Sequence, residues 1–477
     1  MSDEEVNKHE YRAPGMPSDK KHLVQISFFV LGIGMLFPWN VFITATSFFG
    51  LRFDGTPFAD NFSRYGLPFL IVSRHVLLLT VRGCSFFGIA YNLSNILFLL
   101  LASSLVERLS ERIRVSSGLV LSGIIFLVLT VMTKVYIDPS AFFGLVMFLV
   151  ILSGSTTALL QSGVFAVAAD FPHEHTGSVM SGQGLAGLAV SLSQILTLLA
   201  SDPGESADPK SLELSALLYF IVAVLVIIAA LVAHIGMQNL EYFRYFMRHG
   251  KRKLPSATLA VSDEREPMLA VQASAVSLIS DYEQSSYLSI FKEVWPYAIA
   301  VGLTFTVTLG IFPGLVGNIE SVNTESTSRI YNDMFVSFSF LLFNLGDLIG
   351  RWSAGRKVIL TARMLLPASL CRLIFFPIFL FCNVILRDAA GNIIENSVPL
   401  LIPSDWAYWF LMLVFAITNG YIASACMIIG PEQVRSKADR EKAGVIMINS
   451  LVIGLFLGSM TSFLLRFILC SCNPFIS

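Results

Sequence analysis

Runs of twenty or more apolar residues recur eleven times along this 477-residue chain, and that repetition fits only one environment. An apolar stretch of about 20 residues crosses the hydrocarbon of a bilayer as a helix. In hydrocarbon no water satisfies the backbone, so each stretch must bond internally. The runs fall at about 23–49, 86–106, 115–135, 141–169, 180–200, 214–236, 295–316, 330–350, 364–386, 405–428 and 443–469. Only 14% of residues are charged and the mean hydropathy is +0.70, against about 25% charged in an average soluble protein. A soluble chain this long would divide into several domains, each needing a polar surface, and these charges are too few to cover them. The reading is an all-α polytopic membrane protein of 11 transmembrane helices. The first run is too long for the apolar core of a signal peptide and lacks a small-residue cleavage site, so it counts as a span.

Basic residues set the orientation, because they accumulate in cytosolic segments. With the N-terminus in the cytosol, 22 of the 32 Lys and Arg fall in segments on that side and 8 on the other. The remaining two, Arg372 and Arg466, lie within apolar runs. This predicts a cytosolic N-terminus, an extracellular C-terminus and an odd number of spans.

Four segments follow: a tail at 1–22, a six-helix half at 23–236, a cytosolic linker at 237–294 and a five-helix half at 295–477. The linker opens with Arg244, Arg248, Lys251, Arg252 and Lys253 and continues through Pro255, Asp263 and Glu264, a composition that cannot bury a core. Its basic cluster reads as a topology signal, or as a contact for anionic lipid headgroups. Asn61-Phe62-Ser63 in the first external loop is a glycosylation triplet on the side the orientation requires. Residues 66–85 are apolar but broken by Pro68, Arg74, His75 and Arg82. Those charges would be costly facing lipid, and a crossing there would turn every basic loop outward. The stretch is therefore read as an insertion in the loop and not as a span.

Several function classes are excluded. A net charge of −1 gives no surplus of Lys and Arg to neutralise phosphates, so no nucleic-acid partner is expected. The six cysteines (Cys84, Cys371, Cys382, Cys426, Cys470 and Cys472) are scattered, mostly in apolar stretches, and read as small buried hydrophobes with no disulfide framework or metal spacing. There is no phosphate-binding GxxxxGK[ST] loop and no Gly-x-Ser-x-Gly elbow. His173-Glu174-His175 lacks the spacing of a zinc hydrolase. Neither an enzyme nor a cofactor or metal requirement is indicated.

Polar residues inside the runs carry the information about function. In the eighth run, Phe340, Asn344, Asp347 and Arg351 fall within about 60° of one another on a helix. Asp347 and Arg351, four apart, can pair directly. The stripe reads as a buried ion pair locking helices, as a cavity wall for a polyhydroxylated ligand, or as both. In the first run Pro38 removes a helix hydrogen bond and Trp39 follows with a flat face suited to stacking on a ring, with Leu36 and Ile43 on its side. Ordinary helix packing is the alternative there. Gln161 interrupts the fourth run, Asn92 and Asn95 lie one turn apart in the second, and Ser181-Gly-Gln183-Gly184-Leu-Ala186-Gly187 opens the fifth with residues small enough for close helix contact.

In this order the residues resemble the equilibrative nucleoside transporter family. The likeness runs from Gly-x-Gly-x-x-x-Pro-Trp-Asn (Gly32 to Asn40) through Gln161-Ser-Gly-Val-Phe, Phe171-Pro172 and the Ser181–Gly187 stretch. It continues through Phe305-Thr-Val-Thr, Phe312-Pro313, Phe343 to Arg351, Asn419-Gly-Tyr-Ile-Ala423, Gly430-Pro431 and Glu441-Lys-Ala-Gly444, covering about 22–470. The resemblance implies a 6+5 major-facilitator-like arrangement whose halves rock about a central site. It implies that Asp347 and Arg351 hold ribose hydroxyls with Asn344 on the same wall, and that Gln161 reads the base edge. It places Trp39 and Leu36 at the wall beside the base, Ile43, Phe305 and Leu455 along the external pathway, and Phe340 beside the site. Arg114, Glu441 and Asn40 resemble parts of a gate.

What the likeness implies is facilitative transport of purine and pyrimidine nucleosides, with nucleobases as a further class, in the plasma membrane or alternatively an endolysosomal one. An organic-cation or monoamine carrier of the same family, and a membrane receptor that does not transport, are the other readings. Two departures stand out. Asn92 and Asn95 occupy positions where well-known members carry apolar or thioether residues lining the base pocket, and two amides there would shift the preference between nucleosides and nucleobases. The 66–85 stretch adds about 20 residues to a loop that the family keeps short, and reads as a retained intron or as a loop extension.

Overall fold

The computed structural model describes residues 17–53, 80–105, 109–200, 209–250, 286–323, 325–387, 393–394, 396–434 and 439–470. The triplet at Asn61 and residues 66–79 of the expected insertion lie outside them. So do Cys472 and most of the segment joining the halves.

The first half contains α1 (Leu23–Thr44), α2 (Thr46–Arg52), α3 (Thr80–Leu105), α4 (Glu111–Met132), α5 (Pro139–Ala169), α6 (His173–Ala200) and α7 (Pro209–Met237). A short α8 (Glu241–Gly250) follows. The second half contains α9 (Tyr287–Ile311), α10 (Phe335–Arg356), α11 (Leu365–Cys371), α12 (Phe375–Leu380), α13 (Asp405–Glu432) and α14 (Arg440–Cys470). Local chemistry fixes several ends. The Asp19 carboxylate accepts from the backbone N–H groups of Val24 and Gln25, each at 3.1 Å, closing the entry to α1. The Asp138 carboxylate caps α5, with Pro139 at its first position. Asp405 begins α13 and accepts from Ser321 Oγ at 2.6 Å and Asn323 Nδ2 at 2.7 Å, holding the loop after α9.

Small residues decide which helices come together. α1 lies along α6, where Gly32 faces the Val179 carbonyl and Gly182 faces that of Phe29. α3 lies along α5 at Gly154, and α4 packs between α5 and α7. In the second half α9 crosses α14 where Gly302 meets Gly454, and α10 crosses α13 where Gly346 and Gly350 meet Ala416 and Gly420. The halves meet along α6 and α10, and where α14 packs on α3 and α5. A block of phenylalanines (Phe42, Phe48, Phe49, Phe53, Phe126, Phe142 and Phe220) fills the first half near α2.

Among the described residues, nine helical stretches are long and apolar enough to cross a membrane, where eleven spans were expected. Of the two others, α10 carries the charged stripe, and α3 runs from Thr80 to Leu105 with the side chains at both its ends outside the described residues. The structure amends the sequence reading at four points. α3 starts at Thr80, so the end of the 66–85 stretch is helix and not loop. The ninth span, expected at 364–386, ends at Leu380 after two short helices joined by a 3-10 turn at Arg372–Ile374. Leu386–Arg387 then pairs with Ile393–Ile394 as β1 and β2.

The segment after α7 was expected to be without packed structure, yet α8 docks Tyr242, Phe243 and Phe246 on Phe171 and His175, with ring centroids 4.9–5.6 Å apart. Finally, Cys470 is disulfide-bonded, and does not sit as the small buried thiol its apolar surroundings predicted.

Candidate functional site

α10 places Phe340, Asn344, Asp347 and Arg351 on one stripe, and each meets a different neighbour. Arg351 Nε donates to Asp347 Oδ2 at 2.6 Å, and Arg351 Nη1 donates to Gln183 Oε1 on α6 at 3.1 Å. Asn419 Nδ2, from α13, donates to Asp347 Oδ1 at 2.7 Å. Both members of the pair are buried. A buried ion pair needs its remaining donors and acceptors satisfied to offset the loss of water, and here flanking amides on two other helices do so.

The chain of bonds continues outward. Thr308 Oγ1 on α9 donates to Asn419 Oδ1 at 2.7 Å and accepts from Arg372 Nη2 at 2.9 Å. Arg372 also donates to the Phe415 carbonyl at 2.9 Å and to Thr418 Oγ1, and its guanidinium lies 4.8 Å from the Phe415 ring centroid. α9, α10, α13 and the turn after α11 are thus tied through one polar network. Close backbone approach makes this possible: a Cβ on Gly420 would run into the Asp347 carbonyl.

Asn344 is committed across the halves, donating to Ser191 Oγ on α6 at 2.6 Å and to the Phe340 carbonyl at 3.0 Å. Phe340 packs against Phe312, centroids 4.5 Å apart, while Phe312 stacks on Phe343 at 3.9 Å. Gly184 and Gly187 of α6 lie against Arg351, Leu348 and Asn344, so the small residues of that stretch serve packing while Gln183 touches the ion pair.

In the first half, Trp39 lies against Tyr91, centroids 4.4 Å apart and planes at 34°. Tyr91 in turn donates its hydroxyl to Thr157 Oγ1 at 2.8 Å. Leu36, Trp39, Asn40 and Ile43 are half-buried along one side of α1. Asn92 and Asn95 are buried, Asn95 at 1% exposure, and Gln161 is buried on α5. Asn95 Oδ1 and Gln161 Oε1 have no hydrogen-bond partner. Such atoms are costly inside a protein. Phe305 is buried where α9 meets α14, and Leu455 is half-buried on α14.

At the end of the bundle where α1 begins, Arg114 on α4 donates to Glu441 Oε1 on α14 at 2.6 Å and to the Ser162 carbonyl at 3.2 Å. The Arg114 side chain is wholly enclosed and that of Glu441 is about a quarter exposed. Asn40 does not share its amide nitrogen with this pair, since Asn40 Nδ2 is buried without a partner.

The sequence reading therefore brought together Asn344, Asp347 and Arg351, and separately Arg114 and Glu441. It did not single out Thr308, Arg372, Asn419, Gln183 or Tyr91 as parts of the arrangement. Arg372 carried a signal, being a lone cation inside an apolar run. Among the described residues no group of three or more His, Cys, Asp or Glu could hold a metal ion.

Known proteins resemble this chain over most of its length. The sequence profile of a family described as "Nucleoside transporter" matches residues 147–467. Human Equilibrative nucleoside transporter 1 is 31% identical, over 94% of this chain and 98% of that protein. Human Equilibrative nucleoside transporter 2 is 30% identical, over 95% and 99%. Equilibrative nucleotide transporter 1 of Arabidopsis thaliana is 27% identical, over 95% and 88%. Among solved structures, the major facilitator superfamily proton:xylose symporter XylE aligns with a TM-score of 0.53 at 12% identity, covering 96% of this chain and 92% of that one. The human organic anion transporter MFSD10 aligns with a TM-score of 0.50 at 15% identity, covering 96% of each. The fold is that of the major facilitator superfamily, and with a family match over two thirds of its length and relatives spanning nearly all of it, this chain belongs to the nucleoside transporter family.

Proposed function

We propose that this chain is a facilitative nucleoside transporter that moves purine and pyrimidine nucleosides down their gradients by alternating access. The observation that carries the reading is the Asp347–Arg351 pair, buried where the two halves meet and bonded to Asn419 on one side and Gln183 on the other. A carboxylate accepts from both hydroxyls of a ribose while a guanidinium donates to their lone pairs. Withholding one such partner leaves buried groups unpaired, which is a strong basis for discrimination.

Around that centre, Trp39 with Leu36 offers an apolar face to the base, and Gln161 reads its edge. α3 and α5, read as the second and fourth crossings, run in the same direction. Asn95 and Gln161 each follow one turn after the Tyr91–Thr157 bond, which favours their serving one face of the base. Asn92 adds a further amide. Ile43, Phe305, Phe340 and Leu455 border the pathway, and Asn344 closes the wall beside Asp347. Arg114 and Glu441 form the gate at the end that the basic residues assign to the cytosol, and Asn40, near the other end of α1, is assigned to gating on the strength of the resemblance. The N-terminus is cytosolic, the C-terminus extracellular and the membrane the plasma membrane. No cofactor or metal takes part.

The test is uptake of radiolabelled adenosine and uridine in transporter-null cells at pH 5.5 and 7.4, with surface protein quantified. Saturable flux that does not change with pH supports the uniporter. Flux that rises at low pH sinks the facilitative reading in favour of proton coupling. No saturable flux, with protein at the surface, sinks nucleoside transport and turns attention to organic cations.

A further inference from the structure

Arg372 lies in the turn between α11 and α12, 2% exposed, within a membrane-crossing stretch. Among the described residues its hydrogen-bond partners are neutral ones: the Phe415 carbonyl, Thr418 Oγ1 and Thr308 Oγ1. Burying a guanidinium without a facing carboxylate is costly, and helix packing alone would be served by an apolar side chain of the same length.

Chemistry fixes the direction of every bond leading away from it. A guanidinium can only donate and a carboxylate can only accept. Asn419 must therefore turn its NH2 toward Asp347 Oδ1 and its oxygen toward Thr308. Thr308 has one proton, which faces the Asn419 oxygen at 2.7 Å and the Thr304 carbonyl at 2.8 Å, and presents lone pairs to Arg372. The result is an unbroken run of donation, Arg372 to Thr308 to Asn419 to Asp347, with steps of 2.9, 2.7 and 2.7 Å. Bonds aligned in this way polarise one another. Arg351 reaches the other oxygen of the same carboxylate, so Asp347 is gripped from both sides and keeps one rotamer.

We propose that Arg372 is a positioning residue for substrate: through Thr308 and Asn419 it orients the Asp347 carboxylate toward the ribose diol, and so sets the preference for ribonucleosides over nucleosides lacking the 2′- and 3′-hydroxyls. This rests on the transport reading above. It adds a remote side chain, on a different helix from Asp347, to the determinants of specificity.

The decisive variant is Thr308→Val, which keeps shape and removes the hydroxyl that links Arg372 to Asn419. Uptake of uridine and of 2′,3′-dideoxyuridine is measured in cells, normalised to surface protein, for the unaltered chain, Thr308→Val, Thr308→Ser and Arg372→Lys. The expected result is a KM for uridine raised about tenfold in Thr308→Val and in Arg372→Lys, since a bond to a charged group is lost. The KM for the dideoxynucleoside and the maximal rate per transporter stay unchanged, and Thr308→Ser restores the uridine KM. A role confined to packing would lower surface protein or shift both substrates equally, and either outcome overturns the proposal. Absence of saturable uptake of either nucleoside by the unaltered chain overturns the transport reading itself, and the proposal with it.

Discussion

Arg114 and Glu441, 327 positions apart in sequence, meet at 2.6 Å and join α4 of the first half to α14 of the second. Among the described residues, Glu441 is the carboxylate that pairs with the enclosed guanidinium. Where two halves move against each other, a pair of this kind is present in some conformations and absent in others, so it biases which end is shut.

Breaking the pair exposes that bias. Glu441→Gln leaves Arg114 buried and uncompensated, a loss of about 3–5 kcal/mol when one member of a buried pair is removed. Conformations closed at this end lose population accordingly. Val445, fully buried one turn further along α14, gives a reporter position. In a Val445→Cys background, alkylation by a water-soluble maleimide in permeabilised cells is expected to be at least tenfold faster with Glu441→Gln than with Glu441 intact. Equal rates would remove the gate role.

Asp347 and Arg351 differ in what they tolerate. Asp347→Asn removes the charge and strands Arg351, so saturable nucleoside uptake is expected to fall below about 1% of the unaltered level at equal surface expression. Arg351→Lys keeps the charge but, with its three donors on one nitrogen, does not reproduce the planar fork that presents Nε to Asp347 and Nη1 to Gln183. Its expected signature is a KM raised about tenfold with a smaller change in maximal rate. Concentration series on both variants check this.

The proposed part of Asn92 and Asn95 in base selection has a direct test. Replacing them with apolar side chains, as Asn92→Met with Asn95→Leu, removes polar capacity from the helix that packs on α5. Hypoxanthine uptake relative to inosine is expected to fall several-fold, and an unchanged ratio would separate these amides from base recognition.

Glycines at helix crossings divide sharply by what surrounds them. At Gly420 a methyl group would meet the Asp347 carbonyl, whereas nothing lies within 4 Å at Gly144 or Gly236. Gly420→Ala is expected to lower the thermal midpoint of the detergent-solubilised protein by several degrees and to abolish uptake. Gly236→Ala, within α7, gains up to about 1 kcal/mol of helix preference and is expected to hold or raise the midpoint. Scanning fluorimetry on the two variants and the unaltered chain decides it.

What was legible in the sequence follows from how far apart the partners are. Asp347 and Arg351 announced themselves because a helix brings residues four apart together, so a single segment contains the whole pair. Thr308, Asn419 and Arg372 come from three other segments, and no spacing rule in one helix joins them. Their meeting depends on the α10–α13 crossing, which glycines permit but do not reveal. Tyr91 read as one more aromatic in an apolar run, and only the approach of α1 turns it into the partner of Trp39. α8 was hidden for a different reason: its aromatic residues are diluted by the charged segment that follows. The short ninth crossing was overestimated because Phe381 to Leu386 is as apolar as a helix but belongs to a loop and β1.

α6 touches α1 on one flank and α10 on the other, and both seams are lined with glycine: Gly182 toward α1, Gly177, Gly184 and Gly187 toward α10, with Gly177 set against Gly355. Most helix interfaces mesh like gear teeth, and sliding one past another means lifting every tooth from its socket. A seam made largely of bare backbone has few teeth. It behaves as a bearing, on which one half can tilt over the other while the few bonds that cross it, from Asn344 to Ser191 and from Arg351 to Gln183, act as detents that mark where the motion comes to rest.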